Sequence, residues 1–232
     1  MSVESQSSPP KIIINATGLN HQVATPNGSL SLLKDINVQI NQGESLAIVG
    51  ASGSGKTTLL SILAGLDSAS QGEVELCSEK LSALDEEQRA RLRRDKVGFI
   101  FQQFLLVPAL TALENVMLPA ELKGIAKAKE LAEQWLNKVG LTERHHHYPN
   151  QLSGGEQQRV AIARAFICQP EVLFADEPSA NLDSDNGKNI EDLLFALNQQ
   201  SGATLVLVTH ERGLAERCSR QITLQAGQMI DG

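Results

Sequence analysis

Five short stretches of this 232-residue chain carry side chains suited to holding and cleaving a polyphosphate. The first, Gly50-Ala51-Ser52-Gly53-Ser54-Gly55-Lys56-Thr57, fits G-x-x-x-x-G-K-[ST], a phosphate-binding loop. Its glycines allow a tight turn whose backbone N–H groups converge on an anion at the positive end of the following helix. Lys56 supplies a cation for the β- and γ-phosphates, and the Thr57 hydroxyl is an oxygen ligand for Mg²⁺. The candidate nucleotide contacts are Gly50, Ser52, Gly53, Ser54, Gly55, Lys56, Thr57 and Thr58. Leu46 to Val49 before the loop and Leu59, Leu60, Ile62 and Leu63 after it supply a strand and a helix, which a flexible Gly/Ser linker lacks. The chain is expected to bind a nucleoside triphosphate.

Three further stretches are apolar strands that end in polar side chains. Val172-Leu173-Phe174-Ala175 runs into Asp176 and Glu177. Ligands above a parallel sheet sit at the carboxyl ends of its strands, so Asp176 is the candidate for a second Mg²⁺ contact, through a coordinated water. Pleat alternation sends adjacent strand side chains to opposite faces, which keeps Asp176 and Glu177 from sharing a proton. Glu177 is then the candidate general base for the water that attacks the γ-phosphate. Leu205 to Thr209 leads to His210, a candidate γ-phosphate contact that orients this water. Gln102 closes Val97 to Phe101, and its amide can both donate to a phosphate and accept from Mg²⁺-bound water.

The fifth stretch is Leu152-Ser153-Gly154-Gly155-Glu156-Gln157-Gln158. Ser153 is a favourable N-cap, and the helix that starts there offers a second anion site. This site has no lysine of its own, so it reads as completing a pocket built mainly by another chain. His145-His146-His147 reads as a surface turn before Tyr148 and Pro149, because successive helical side chains diverge by about 100° and no second Cys or His cluster lies nearby.

The elements that must position these groups follow from periodicity. Ile12 to Ile14, Leu32 to Ile40 and Gly72 to Cys77 read as strands of an antiparallel layer, and Asp85 to Arg94 as a solvated, charged helix. Strands at 97–101, 172–175 and 204–208 alternate with helices at 154–167 and 184–198, which predicts a mostly parallel sheet covered on both faces. Leu131, Trp135, Leu136 and Val139 share one helical face within 104–152. The fold class is α/β: a phosphate-loop NTPase core with an antiparallel β layer and an inserted helical subdomain. The plan places a disordered tail at 1–10, the core at 11–102 and 155–232, and the helical subdomain at 103–154.

Composition narrows the partners. A net charge of −7, a pI near 5.3 and only 3% aromatic residues argue against a nucleic-acid partner. Three scattered cysteines suggest a reducing compartment and buried, apolar thiols. No window approaches the roughly 18 apolar residues of a membrane span, so any membrane role requires another chain to cross it.

Taken in order, GASGSGKT at Gly50–Thr57, FIFQQF around Gln102, LSGGEQQ at Leu152–Gln158, VLFADEP at Val172–Pro178, SANLD at Ser179–Asp183 and TH at Thr209–His210 resemble the ATPase subunits of ATP-binding cassette (ABC) transporters across residues 11–230. The resemblance implies ATP and Mg²⁺ as ligands and a head-to-tail homodimer. In that dimer Ser153, Gly154 and Gly155 of one copy contact the ATP held by Lys56 of the other, and Asp183 lies at the interface near the opposite site. It also implies a peripheral place on the cytoplasmic face of the inner membrane. There the helical subdomain and the loop after Gln102 would form a groove for a permease's cytoplasmic helix. GFIFQQF, ALENVMLPA and FADEPSANLD resemble the lipoprotein-release and macrolide-efflux branch, whose permeases are of MacB/FtsX type. The alternative within the family is a regulatory or force-transmitting ATPase of the cell-division kind that transports nothing. A phosphotransferase would gain nothing from Leu152–Glu156. One departure stands out: Thr17 to Leu33 holds no aromatic residue to stack on adenine, which leaves His21 or Val23 for that task.

Overall fold

The computed structural model describes residues 11–26 and 28–231, so the tail expected at 1–10 lies outside the described residues. β1 (Ile12–Thr25) and β2 (Gly28–Asn41) form a long hairpin, which β4 (Gln71–Leu76) and β5 (Glu79–Lys80) extend into a four-stranded antiparallel sheet ordered β2-β1-β4-β5. Both hairpin strands run well beyond the apolar segments that announced them, because register shifts between Ala16 and Gln22 let the ribbon bend and continue.

The second sheet contains β3 (Ser45–Val49), β6 (Val97–Ile100), β7 (Val172–Asp176), β8 (Thr204–Val208), β9 (Arg220–Gln225) and β10 (Gln228–Asp231). Their order is β10-β9-β3-β8-β7-β6, parallel except for β10. This sheet divides two hydrophobic cores. Leu46, Ile48, Phe174, Val206 and Val208 face the antiparallel layer and α1 (Lys56–Leu63). Ala47, Leu173, Ala175, Leu205 and Leu207 face α3 (Ala112–Leu122), α4 (Ala128–Lys138), α5 (Gly154–Phe166) and α6 (Ser184–Ser201). A strand buried on both faces has no polar position to spare, which is why these strands read as unbroken apolar runs. Each fully buried Leu, Ile or Phe adds about 1.5–3 kcal/mol to whichever core it faces.

Local signals set the helix starts. Asp85 with Gln88 before α2 (Glu86–Lys96), Thr111 with Glu114 before α3, and Ser153 with Glu156 before α5 are reciprocal capping boxes. The histidine run finishes one of these ends. The carbonyls of His147 and His145 accept from the backbone N–H groups of Ala112 and Leu113 at 2.8 and 3.0 Å, satisfying donors that α3 leaves open. Trp135 packs at the edge of the second core and stacks on Phe166 with ring centres 5.8 Å apart. Among the described residues no helix is long and apolar enough to cross a membrane.

Two of the three cysteines are buried as expected, and the third departs. Burial pushes the Cys77 and Cys218 thiols up to about 11, whereas Cys168 is only half-buried and lines a groove beside β6. At pH 8 a thiol of that pKa is thiolate only about one part in a thousand. Titration of the native chain with a chromogenic disulfide is therefore expected to modify Cys168 first and to reach the other two only on unfolding. Equal rates at all three would contradict this burial.

Candidate functional site

Because β3, β6, β7 and β8 are parallel, their carboxyl ends share one edge, and the expected side chains gather there. A cleft of about 430 Å³ is lined by Ser52, Gly53, Gly55, Lys56, Thr57 and Thr58 on one side and by Leu32, Gln102, Asp176 and Glu177 on the other. The loop geometry demands its glycines. Gly50 has φ 154° and a Cβ there would lie 2.2 Å from the Leu224 carbonyl oxygen, while Gly55 has φ 102° and would meet the Leu32 carbonyl oxygen at 2.8 Å.

Lys56 is 7% exposed, and its Nζ donates to the Ala51 carbonyl at 3.0 Å. Among the described residues no carboxylate pairs with it, and the buried Ser54 Oγ of the same loop has no partner. A buried cation with one carbonyl as its hydrogen-bond partner, and with Asp176 acting on it only from beyond ion-pair contact, is a half-made contact that an anion completes. The loop therefore fits a phosphate. The Thr57 hydroxyl donates to Asp176 Oδ1 at 3.3 Å, which brings together two hard oxygen ligands suited to Mg²⁺. Burial raises the pKa of the Asp176 carboxyl, the Thr57 hydroxyl opposes that shift, and the neighbouring Glu177 adds to it.

Glu177 is set apart from Asp176 differently from the pleat argument. β7 stops at Asp176, and Glu177 takes φ 43° while its N–H donates to the Val208 carbonyl at 2.9 Å. A non-glycine residue in this region costs of order 1–3 kcal/mol and persists only where its surroundings hold it. The Glu177 Oε1 lies 3.1 Å from His210 Nδ1. His210 sits two residues past β8 with its side chain 57% exposed, so its contact here is with Glu177 rather than with the cleft wall.

Three residues escaped notice in the sequence. Asn181 pairs with Gln102 twice: its Nδ2 donates to the Gln102 carbonyl at 2.9 Å, and its Oδ1 accepts from Gln102 Nε2 at 3.4 Å. Gln158 is fully buried and donates to the Pro178 carbonyl at 2.7 Å, steadying the turn after Glu177. A glutamine on the apolar stripe with Ile162, Ala165 and Phe166 was its signal. Leu32 is the third, a wall of the cleft beside the phosphate loop. His21 is buried near Asp67 Oδ2 at 3.9 Å, and neither it nor Val23 lines the cleft.

Ser153, Gly154, Gly155 and Asp183 also lie off this cleft. The exposed Ser153 hydroxyl accepts from the Glu156 N–H at 3.3 Å, which leaves its own proton to donate outward. Glu156 accepts from the Ser153 N–H at 2.8 Å and pairs with Arg144 at 2.8 Å. These contacts hold its carboxyl below the usual range against the opposing effect of burial. Asp183 caps α6, accepting from the Asn186 N–H and side-chain amide at 3.0 and 2.7 Å.

The sequence and the fold recur in known proteins. A family profile described as ABC transporter matches residues 33–180. The chain is 51% identical to the ABC transporter ATP-binding protein YbbA of Escherichia coli over 223 residues, covering 95% of this chain and 98% of that one. It is 43% identical to the lipoprotein-releasing system ATP-binding protein LolD of Syntrophus aciditrophicus, covering 94% and 99%. Among solved structures, the ATP-binding cassette MJ0796 in a dimeric post-hydrolysis state bound to ADP and Pi matches with a TM-score of 0.88 and 40% identity, covering 94% of this chain and 97% of that one. The chain belongs to the ABC transporter family, as an ATP-binding ATPase subunit.

Proposed function

We propose that this chain is the motor of a membrane transporter, working as a head-to-tail homodimer on a MacB/FtsX-type permease at the cytoplasmic face of the inner membrane. The observation that carries the reading is Lys56, a buried cation with no carboxylate in ion-pair contact among the described residues, set across one cleft from Asp176 and Glu177. Lys56 and the loop N–H groups hold the phosphates of ATP. Thr57 Oγ1, Gln102 and, through water, Asp176 hold Mg²⁺, which neutralises phosphate charge when bound. Glu177 draws the proton from the attacking water, and His210 orients Glu177 and senses the γ-phosphate.

The second copy's Ser153 hydroxyl and the Gly154 and Gly155 backbone close the far side of the nucleotide, with Asp183 beside them. Their position off the cleft, at an exposed helix start, supports this reading, as does the dimeric state named for MJ0796. Leu32 packs against the base. Residues 103–154 form the moving helical subdomain. A groove of about 380 Å³ floored by Phe99, Phe101, Leu105, Leu118 and Leu122 seats the permease helix, and Leu105 and Leu122 are 52% and 64% exposed in it.

Affinity purification from membranes is expected to recover an integral membrane protein with a large extracytoplasmic domain. Leu122→Asp, which places a charge in the apolar groove, is expected to weaken that association at least tenfold. Recovery of no membrane protein, or of one indifferent to Leu122→Asp, would remove the permease from this reading.

A further inference from the structure

The loop that follows Gln102 is gripped by a side chain that has no other hydrogen-bond partner among the described residues. Phe104 and Leu105 are consecutive non-glycine residues with φ 60° and 48°, a backbone that does not persist unaided. Arg164, near the end of α5, donates through Nη1 to the Leu105 carbonyl at 2.6 Å and through Nη2 to the Phe104 carbonyl at 2.8 Å. Among the described residues no carboxylate pairs with Arg164. Burial lowers the pKa of its guanidinium, and the two carbonyls are its hydrogen-bond partners. The planar fork suits two parallel acceptors, which a lysine cannot reproduce.

Two more contacts make the loop part of the helical layer. The fully buried Asn115 on α3 donates to the Val107 and Leu110 carbonyls at 3.2 and 3.0 Å and accepts from the Val107 N–H at 2.8 Å. At the other end of α5, the Phe104 ring lies close enough to Gly154 that a Cβ there would be 3.8 Å from it. Phe104 thus bonds to α5 through Arg164 and has its ring beside the first residue of that helix, with Gln102 only two residues upstream. An α-helix transmits a displacement of one end to the other, here over about 15 Å.

Resting on the homodimer and the role of Gln102 proposed above, we infer that Arg164 is a positioning residue that couples the start of α5, where the second copy's nucleotide engages Ser153, to Gln102 in the chain's own cleft. Engagement at one ATP site then sets the Mg²⁺-side glutamine of the other. Arg164 touches neither nucleotide and acts through the Phe104 and Leu105 carbonyls.

The test is a double-mutant cycle on ATP turnover by the full chain. Arg164→Met is expected to lower kcat about tenfold and to leave the KM for ATP within twofold, because the phosphate loop is untouched. Arg164→Lys, which keeps the charge and reaches one carbonyl at a time, is expected to have a kcat between those of the wild type and Arg164→Met, and it serves as the test if the methionine variant does not fold. Combined with Gln102→Ala, either substitution is expected to cost nothing beyond the loss from Gln102→Ala alone. Losses that multiply would mark Arg164 as merely structural and overturn the coupling, as would wild-type kcat in Arg164→Met. Wild-type turnover in Gln102→Ala alone would overturn the role of Gln102 itself, an outcome separable because it appears without any change at Arg164.

Discussion

Glu177→Gln is expected to bind ATP at least as well as the wild type and to turn it over at least about a hundredfold more slowly, the low end of what a general base contributes. The amide is nearly isosteric, so the φ 43° turn and the N–H bond to Val208 survive, and the side chain can still meet His210 Nδ1. What disappears is the capacity to take a proton from water. Charge works in the same direction on binding: the Glu177 carboxylate helps to raise the Asp176 pKa, so its removal makes Asp176 easier to ionise beside a cation. The variant should accumulate as an ATP-bound dimer, seen as a doubling of mass by light scattering when ATP is added and as absent phosphate release. Hydrolysis at the wild-type rate would sink Glu177 as the base and leave the phosphate site standing.

Lys56→Ala has the opposite signature, losing the nucleotide first. A charge-assisted contact from a buried ammonium to phosphate is worth about 2–3 kcal/mol, which corresponds to ATP binding weakened roughly 30- to 150-fold. The free protein should hardly notice. Lys56 is 7% exposed and has one carbonyl partner, so its removal relieves a desolvated charge while losing its packed stem. Nucleotide titration by fluorescence together with thermal unfolding separates the two effects: weak binding with an unchanged melting temperature is expected. Weak binding caused only by a collapsed melting temperature would mean that Lys56 is a structural residue.

Local chemistry was legible where it is completed within a few residues. The phosphate loop is such a case, since the turn, the amide groups, Lys56 and Thr57 all fall between Gly50 and Thr57. The capping box of Ser153 and Glu156 is another. The parallel sheet was legible because strands buried on both faces must be apolar throughout. Glu177 shows where local rules mislead. A residue before proline is ordinarily extended, yet Glu177 is left-handed while its N–H bonds to the Val208 carbonyl, and β7 stops at Asp176.

Residue types and spacing along the chain were sufficient for the ATP-binding loop, the strand-end acids, the α/β class and the family, because each is written in contiguous residues or in a period. Which groups meet was decided only on folding. Thr57 and Asp176 are separated by 119 positions, Gln102 and Asn181 by 79, Arg164 and Phe104 by 60, and Glu177 and His210 by 33. No periodicity encodes pairings at such distances. They arise because parallel strands bring their carboxyl ends to one edge, and because α5 lies against the loops that follow β6 and β7.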